Sequence, residues 1–514
     1  MTRLDQTLLV AMVVLLAPTA GCGSDGPGTS VRVALDYDDA LGLDTAEVTL
    51  GDRTESGPIA HQLLLLLTDD VAGQEMAIEV WGRRAAQRVA FGATTAVPQR
   101  GKTVSAQLSL TTCRPSCQGD MLMTCMGPAV SCALGCSENG DAHCLAPGTS
   151  NGVDPTMANA LTGTTTFSAS ATLNTDTGEI SGAISRPAGT GVNGAIGYFQ
   201  APAAGAGGAA LGIFAFHNLA VEATGALHFT GARAAVLLVG DTAGISGTLD
   251  VTAGRGTRAT PGPGGGAGGT TTAVPPGGCG PGGNGTRSGT DDGGGGGGGG
   301  SESGAPGGGI TPPLAGVAGM PCLPMLLEPL QGGSGGGAGG PGDPAMTASG
   351  GGGGGALQVT ALRVLVITGT INAGGAGGGG GAQASDAGGG AGGGSGGAIL
   401  LEAPMLTIGT SAILAANGGG GGGGGGAIQP SFPGSGGAAD SAFAQGGFGS
   451  LDDNGGGTGG ALTSPPDVGR DGETNGNGGG GGGGSGRIVL RGRTRFVGGL
   501  VSPAPTQTDI KPPK

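Results

Sequence analysis

The chain has 514 residues, of which 127 are glycine and 32 proline, with 3% aromatic and 11% charged residues and a formal net charge of −14. Few charges and few aromatics exclude both an ordinary cytosolic enzyme and charge-driven disorder, and the acidic balance removes nucleic acid as a partner, since phosphate binding needs clustered Lys and Arg. Glycine has no side chain to bury, so roughly half of a length that would otherwise hold three or four domains cannot form a core of ordinary density.

Residues 1–21 read as a lipoprotein signal peptide. Arg3 precedes the apolar run 8–17, which is too short to span a bilayer, and small residues lead into Thr19-Ala20-Gly21-Cys22. A cysteine in that position resembles the bacterial lipobox, in which the thiol is acylated, as with palmitate, and becomes the mature N-terminus. Thr19 stands where leucine is usual, and Asp5 is unexpected in a basic leader. An ordinary signal peptide cleaved nearby is the alternative, and both readings export the protein. Cys22 is the expected lipidation site and the membrane the expected partner, several acyl chains giving stable anchoring where one does not. Gly23 rather than Asp follows the cysteine, which points to a surface-exposed lipoprotein of the outer membrane.

Residues 22–30 form a short polar tether. Over 31–110 the pattern becomes period two, with Val31, Val33 and Leu35, then Ala46, Val48 and Leu50, then Met76, Ile78 and Val80, then Val104, Ala106, Leu108 and Leu110. Alternation of this kind marks half-buried strands and predicts a small antiparallel β-sandwich. Trp81 is expected as a core or rim aromatic, and the run Leu63 to Leu67 as a central strand buried on both faces. Residues 111–147 hold Cys113, Cys117, Cys125, Cys132, Cys136 and Cys144 in a tandem C-x3-C-x7-C pattern. In an exported chain this predicts a disulfide module, because so short a segment has little core and needs covalent staples. Zinc ligation by the same thiols is the alternative. The pairing is left open by the sequence.

From 148 to 260 the chain is a β-rich repeat region, 261–350 is a Gly/Pro-rich low-complexity segment, 351–503 carries glycine-rich repeats, and 504–514 is a tail. Apolar segments recur as Ala235-Val-Leu-Leu-Val with Ile245-Ser-Gly-Thr-Leu-Asp, Ala356-Leu-Gln-Val-Thr with Ile367-Thr-Gly-Thr-Ile-Asn, and Ala398-Ile-Leu-Leu-Glu with Ile408-Gly-Thr-Ser-Ala-Ile-Leu. A truncated copy is Arg487-Ile-Val-Leu-Arg with Phe496-Val-Gly-Gly-Leu-Val. Units that cannot bury an apolar face alone must stack, which predicts a right-handed parallel β-helix or similar β-solenoid, a sandwich or irregular β-array being the alternative. The expected fold class is all-β throughout.

The glycine runs 293–300, 350–355, 418–426 and 478–484 are expected to be long mobile loops, because ordering nine glycines costs on the order of 10 to 15 kcal/mol with no side chain buried. The competing arrangement is a bundle of polyglycine helices resembling that of some phage tail-fibre adhesins. The segment 261–350 is expected to be the least ordered. Cys279 and Cys322 within it would close a loop worth roughly 4 kcal/mol if bridged.

The order of parts, with Cys132-Ala-Leu-Gly-Cys136-Ser, Leu237-Leu-Val-Gly and the segment GGGSGGAILLEAP at 392–404, resembles the glycine-rich, cysteine-containing lipoproteins of myxobacteria over nearly the whole chain. The resemblance implies an envelope location and no activity.

A catalytic reading finds little support. Gly101-Lys102-Thr103 lacks the glycine that a phosphate loop needs upstream, where Ala96 stands. Gly393-x-Ser395-x-Gly397 matches a nucleophile elbow only in a glycine background, and His61, His143, His217 and His228 lie far upstream. The rungs offer isolated Asp250 and Glu402 rather than the clustered carboxylates of a polysaccharide lyase. Asp471-Gly-Glu473-Thr-Asn475 opens like a calcium loop, but Gly482 stands where the bidentate acid belongs. Arg491, Arg493 and Arg495 alternate and on one strand would share a face open to acidic glycans. No cofactor or metal is expected. The reading is a non-enzymatic structural or surface-interaction protein of the cell envelope, the alternatives being a carbohydrate-binding adhesin and, more remotely, a lyase-like β-helix enzyme. Surface glycans or other envelope components are the expected partners. An adhesin would show aromatics or Asn/Asp in register across rungs, and a lyase convergent carboxylates.

Overall fold

The computed structural model describes residues 13–15, 28–50 and 53–511 apart from 86, 114, 124–128, 133, 139–141, 146, 272–275, 310–313, 343–346, 384–386, 427–428, 430, 451–453 and 473–476. Cys22 and Cys125 lie outside the described residues. The chain divides into two units, Met1–Leu145 and Ala146–Lys514, each with its own apolar core.

In the first unit the period-two segments form two sheets. One has the order Val13–Leu15, Gln62–Leu67, Thr29–Asp36, Thr103–Ser109, and the other Arg53–Pro58, Thr45–Leu50, Met76–Arg84, Gln87–Ala96, Thr111–Thr112. The pairing of Thr29–Asp36 with Thr103–Ser109 is parallel and the rest is antiparallel. Between the sheets lie Val31, Val33, Leu63, Leu65, Val48, Ile78 and Val80, all buried. Leu64 and Leu66 are only half-buried, so this strand faces a single core and is not buried on both faces. A two-layer sandwich gives each strand one inner face. Trp81 lies outside that core, on the outer face. It sits between Glu47 and Phe91 in register, tilted against the Phe91 ring at 4.6 Å with the Arg88 guanidinium 4.9 Å from its centre.

The cysteine segment is stapled by Cys117–Cys136 and Cys132–Cys144, and Cys113 is disulfide-bonded as well. The expected bridge Cys279–Cys322 is also present. Free-thiol labelling of the native protein should leave Cys117, Cys132, Cys136, Cys144, Cys279 and Cys322 unmodified. Reduction should loosen 113–144 and zinc chelation should have no effect. Reactive thiols at these positions would overturn the pairing.

The second unit is a β-solenoid whose three sheets are parallel from rung to rung, with Ile180–Gly182 added antiparallel at the start of the third and Gly191–Asn193 and Ile196–Ala201 at the start of the first. Successive rungs supply Leu211–Phe216, Ala234–Val239, Ala356–Ala361, Ala398–Glu402 and Arg487–Arg491 to the first sheet, and Thr506–Thr508 ends it. The second sheet takes Thr164–Phe167, Asn218–Val221, Thr242–Ile245, Val364–Ile367, Met405–Ile408 and Thr494–Val497. The third takes Ser170–Asn174, Ala226–Thr230, Thr248–Asp250, Thr370–Asn372, Ile413–Ala415 and Leu500–Ser502. Inward side chains stack in register, as in Phe214, Leu237, Val359, Leu401 and Leu490, all fully buried. Each such side chain contributes about 1.5 to 3 kcal/mol. The corner between second and third sheets needs glycine, because a Cβ on Gly369 would lie 2.0 Å from the Gly247 carbonyl oxygen, and one on Gly247 2.1 Å from that of Gly225.

At one corner, between the third strand of a rung and the first of the next, the chain leaves the solenoid through 251–355, 373–397 and 416–486. The described residues of these excursions do not form the expected loops. They form a lattice of extended glycine tracts joined by backbone hydrogen bonds. In 292–301, Gly294 and Gly297 donate to Gly308 and Ala305, Gly295 and Gly298 to Gly390 and Gly393, and Gly296 and Gly299 to Gly283 and Gly280, at 2.8–2.9 Å. Its carbonyls accept from Gly316 and Gly319, from Gly481 and Gly484, and from Gly337. Every third residue therefore meets the same neighbour, as expected of an extended helix with about three residues per turn, and six tracts surround this one. The expected entropy cost holds, but about one lattice bond per residue opposes it, each bond being shared by two residues and worth about 1 kcal/mol net. The described residues of 261–350 are part of this lattice rather than the least ordered stretch, with Gly262, Gly266 and Gly269 donating to Gly353, Gly333 and Gly336. A Cβ on Gly297 would fall 1.9 Å from the Gly482 oxygen, so only glycine fits there.

Candidate functional site

The three outer faces of the solenoid differ. The first sheet is covered by its own chain, with Val153, Ala158, Leu161, Leu327 and Leu330 packed on Ile213, Val236, Leu400 and Val489. This explains why its strands read as continuous apolar runs.

Under that cover lies a buried ionic cluster. Arg491, in register beside Glu402, bonds Glu328 and the Ser150 hydroxyl, donates to the Leu326 carbonyl at 2.9 Å and lies 3.6 Å from Glu402. Glu402 accepts from Ser150, from Thr360 at 2.8 Å and from Gln358 at 3.0 Å. Asn151 donates to Gln358 at 3.0 Å and accepts from the Leu330 N–H at 2.8 Å, and Lys511 reaches Glu328 at 2.5 Å. Burial pushes the Glu402 carboxyl above its usual range, against the opposing pull of Ser150, Thr360 and Arg491. Burial also acts to raise Glu328, but Lys511 and Arg491 together hold it below the usual range. Each side chain has a partner here, although the Arg491 Nε is buried without one, and the cluster ties 149–151, 326–330 and the tail at Lys511 onto the first sheet.

Arg491, Arg493 and Arg495 do not share a strand face. A turn at Gly492 and Arg493 separates Arg487–Arg491 from Thr494–Val497, Arg491 is buried, and Arg495 caps the Thr508 carbonyl at 2.6 Å and pairs with Asp509. Ser395 is buried in the lattice, where its hydroxyl accepts from the Ser334 N–H at 2.8 Å, so it forms no nucleophile elbow. Gly101 and Lys102 precede the strand Thr103–Ser109, not a helix. Asp471 accepts from the Gly309 N–H at 2.7 Å and so joins two tracts, while Glu473 and Asn475 lie outside the described residues. His61 stacks on Tyr37 at 4.3 Å.

The outer face of the third sheet is polar and partly open over its first four rungs, whereas the next two positions of the same row, Ala415 and Ser502, are fully buried. Thr172, His228, Asp250 and Asn372 stand in one row across consecutive rungs, all half-buried. Asp250 pairs with Arg255, whose guanidinium lies 2.7 Å from His228 Nδ1, and accepts from Thr252 at 2.7 Å. Asn372 accepts from the Gly374 N–H at 3.0 Å. Beyond these strands opens a cleft of about 440 Å³ lined by Gly254, Gly256, Arg258, Gly377 and Gly436. Sequence reasoning named Asp250 but missed His228, Asn372 and Arg258 as its company. The aligned pair TLD and TIN already placed Asp250 and Asn372 at one repeat position, which was the available signal.

At the rim of the lattice only every third residue turns inward, as with Gly316 and Gly319 or Gly434 and Gly437, and larger side chains turn out. Val317, Met320, Phe432, Phe443 and Phe448 are all exposed there, Phe448 by 80%. No protein-family model, curated protein or solved structure matches the chain.

Proposed function

We propose that the protein is a non-catalytic cell-envelope lipoprotein, tethered through Cys22, with a structural or surface-interaction role. The glycine lattice built on the solenoid carries this reading. Among the described residues it spends backbone amides on rigidity, buries glycine backbone with only scattered polar side chains such as Ser334, Ser395 and Asp292, and directs apolar side chains outward at its rim, where exposed patches serve contact with other molecules. The two rung carboxylates support the same reading, since Asp250 is paired with Arg255 and Glu402 is buried with Arg491; they do not converge on one open site. A second reading, a carbohydrate-binding adhesin, is favoured by the polar row on the third sheet. Replacing Cys22 with Ala should move the protein from the membrane fraction to the soluble fraction. An unmodified mature N-terminus found by mass spectrometry in membranes would defeat the lipoprotein reading.

A further inference from the structure

We propose that the outer face of the third sheet, with the cleft beside it, binds an acidic polysaccharide, Arg258 meeting its anionic group and the row from Thr172 to Asn372 its hydroxyls. This deepens the second functional reading and rests on the protein being a binder rather than an enzyme. Four observations lead to it.

The row is a repeat. Thr172, His228, Asp250 and Asn372 occupy the same register on adjacent parallel strands, and adjacent strands lie about 4.8 Å apart. That step is comparable to the advance of an extended polysaccharide per sugar, so a chain laid across the rungs meets one polar side chain at each sugar. Asp250 can accept from hydroxyls, and the Asn372 amide retains its two N–H donors after its oxygen has taken the Gly374 N–H. Thr248 and Thr370 flank the row, also in register and half-buried.

The cleft continues the row. Ala253 follows Asp250 by three residues and Ala376 follows Asn372 by four, and both line it. Its walls are otherwise glycine backbone, which lets a sugar ring approach main-chain amides closely. Gly436 faces the opening, and a Cβ there would meet nothing nearer than the Gly375 oxygen at 3.4 Å.

The charge is local and opposite to the whole. In a chain of net charge −14, the row and cleft bring together Arg255, Arg258 and His228 against Asp250. Arg255 is engaged with Asp250 and His228. Arg258 is exposed and makes one long bond, 3.3 Å to the Gly434 oxygen, leaving most of its planar donor fork to face a carboxylate or sulfate.

The other faces do not compete. The first sheet is covered by the chain itself, and the second presents Gly244, Val366, Thr407 and Phe496 in register, a row with little hydrogen-bonding capacity.

Affinity electrophoresis and titration calorimetry of the full-length mature protein test this, with polygalacturonate as the acidic probe and dextran as the neutral one. Polygalacturonate should retard the protein, less so at high salt, and dextran should not. Arg258→Glu and Gly436→Phe should each weaken binding by about tenfold or more, while Phe496→Ser on the second sheet should leave it unchanged. All three positions are exposed, and an unaltered melting curve checks that each variant is folded. Absence of binding, equal retardation by dextran, or full binding by both Arg258→Glu and Gly436→Phe would overturn the assignment, leaving the non-catalytic reading intact. Release of new reducing ends from polygalacturonate would instead overturn the non-catalytic reading.

Discussion

Shortening the 418–426 run from nine glycines to four is expected to lower the melting temperature of the second unit by many degrees. Gly418, Gly421 and Gly424 donate to Gly460, Gly457 and Asn454, Gly419, Gly422 and Gly425 to Gly394, Ala391 and Gly388, and Gly420 and Gly423 to Ser435 and Phe432. The run also accepts from Gly378 and Gly381, in register with the Gly375 N–H that meets the Asn417 carbonyl just before it. Five residues removed delete roughly ten lattice bonds at about 1 kcal/mol each, an upper figure of the same order as the whole stability of a typical domain. A mobile loop would behave in the opposite way, since halving its length changes the closure cost by only about 0.6 kcal/mol. Two point variants sharpen the contrast. Gly297→Ala puts a Cβ 1.9 Å from the Gly482 oxygen, whereas Gly436→Ala meets its nearest atom at 3.4 Å. Removing glycine normally stabilises by restricting the unfolded chain, by about 0.4 to 1 kcal/mol, so the two should move the midpoint in opposite directions. Calorimetry of the three variants reads this directly, and an unchanged midpoint in the shortened chain would return the tracts to loops.

The solenoid was legible in the sequence because its repeats carry their own register. Ile245, Ile367 and Ile408 align as the apolar segments suggested, and so do Ala356, Ala398 and Arg487. The slips are at the two ends of the series, where Ala235 faces Leu357 and not Ala356, and Ile408 faces Val497 and not Phe496. An earlier rung, Leu211–Phe216 with Asn218–Val221 and Ala226–Thr230, went unrecognised because it is built on Phe214, Phe216 and Phe229, where later rungs carry smaller aliphatic residues such as Leu237 and Val359 beside Phe214 or Val239 and Ala361 beside Phe216. The lattice was harder to read because an unbroken glycine run has no visible period. The signal lay at the rim, where the inward residues Gly316 and Gly319, Ala444 and Gly447, and Gly469 and Gly472 are all small and three apart. That spacing belongs to a helix of three residues per turn and has no reason to occur in a loop. The ionic cluster left no local trace, since Ser150, Glu328, Glu402 and Arg491 are far apart in the chain. Arg491 looked like one of three alternating surface arginines until the turn after it was placed.

Replacing Arg491 with Ala is expected to destabilise the second unit by about 3 to 5 kcal/mol near neutral pH, because it leaves buried carboxylate without its cation. Glu402 is 1% exposed, and burial already raises its folded-state pKa despite Arg491. A carboxyl with a raised folded pKa favours the folded state below its unfolded value, about 4.3, and that contribution fades as pH rises through the folded value. Without Arg491 the Glu402 pKa should rise further, so the variant pays most at neutral pH, where the unfolded chain ionises Glu402 freely and the folded chain does not. Glu328 acts in the same sense from the other side. Its pKa is held down, Lys511 being the larger favourable influence and Arg491 the next, so it stabilises the fold above its unfolded pKa and loses that effect on acidification. Part of this is lost in the variant at neutral pH and matters little in acid. The gap between Arg491→Ala and the wild type should therefore narrow between pH 7 and about pH 4. Urea unfolding at the two pH values measures it, followed through the second unit. The paired change Glu402→Leu with Arg491→Met removes both charges and should recover much of the loss. A gap of the same size at both pH values would mean that Arg491 matters for its packing and not for the charge it neutralises.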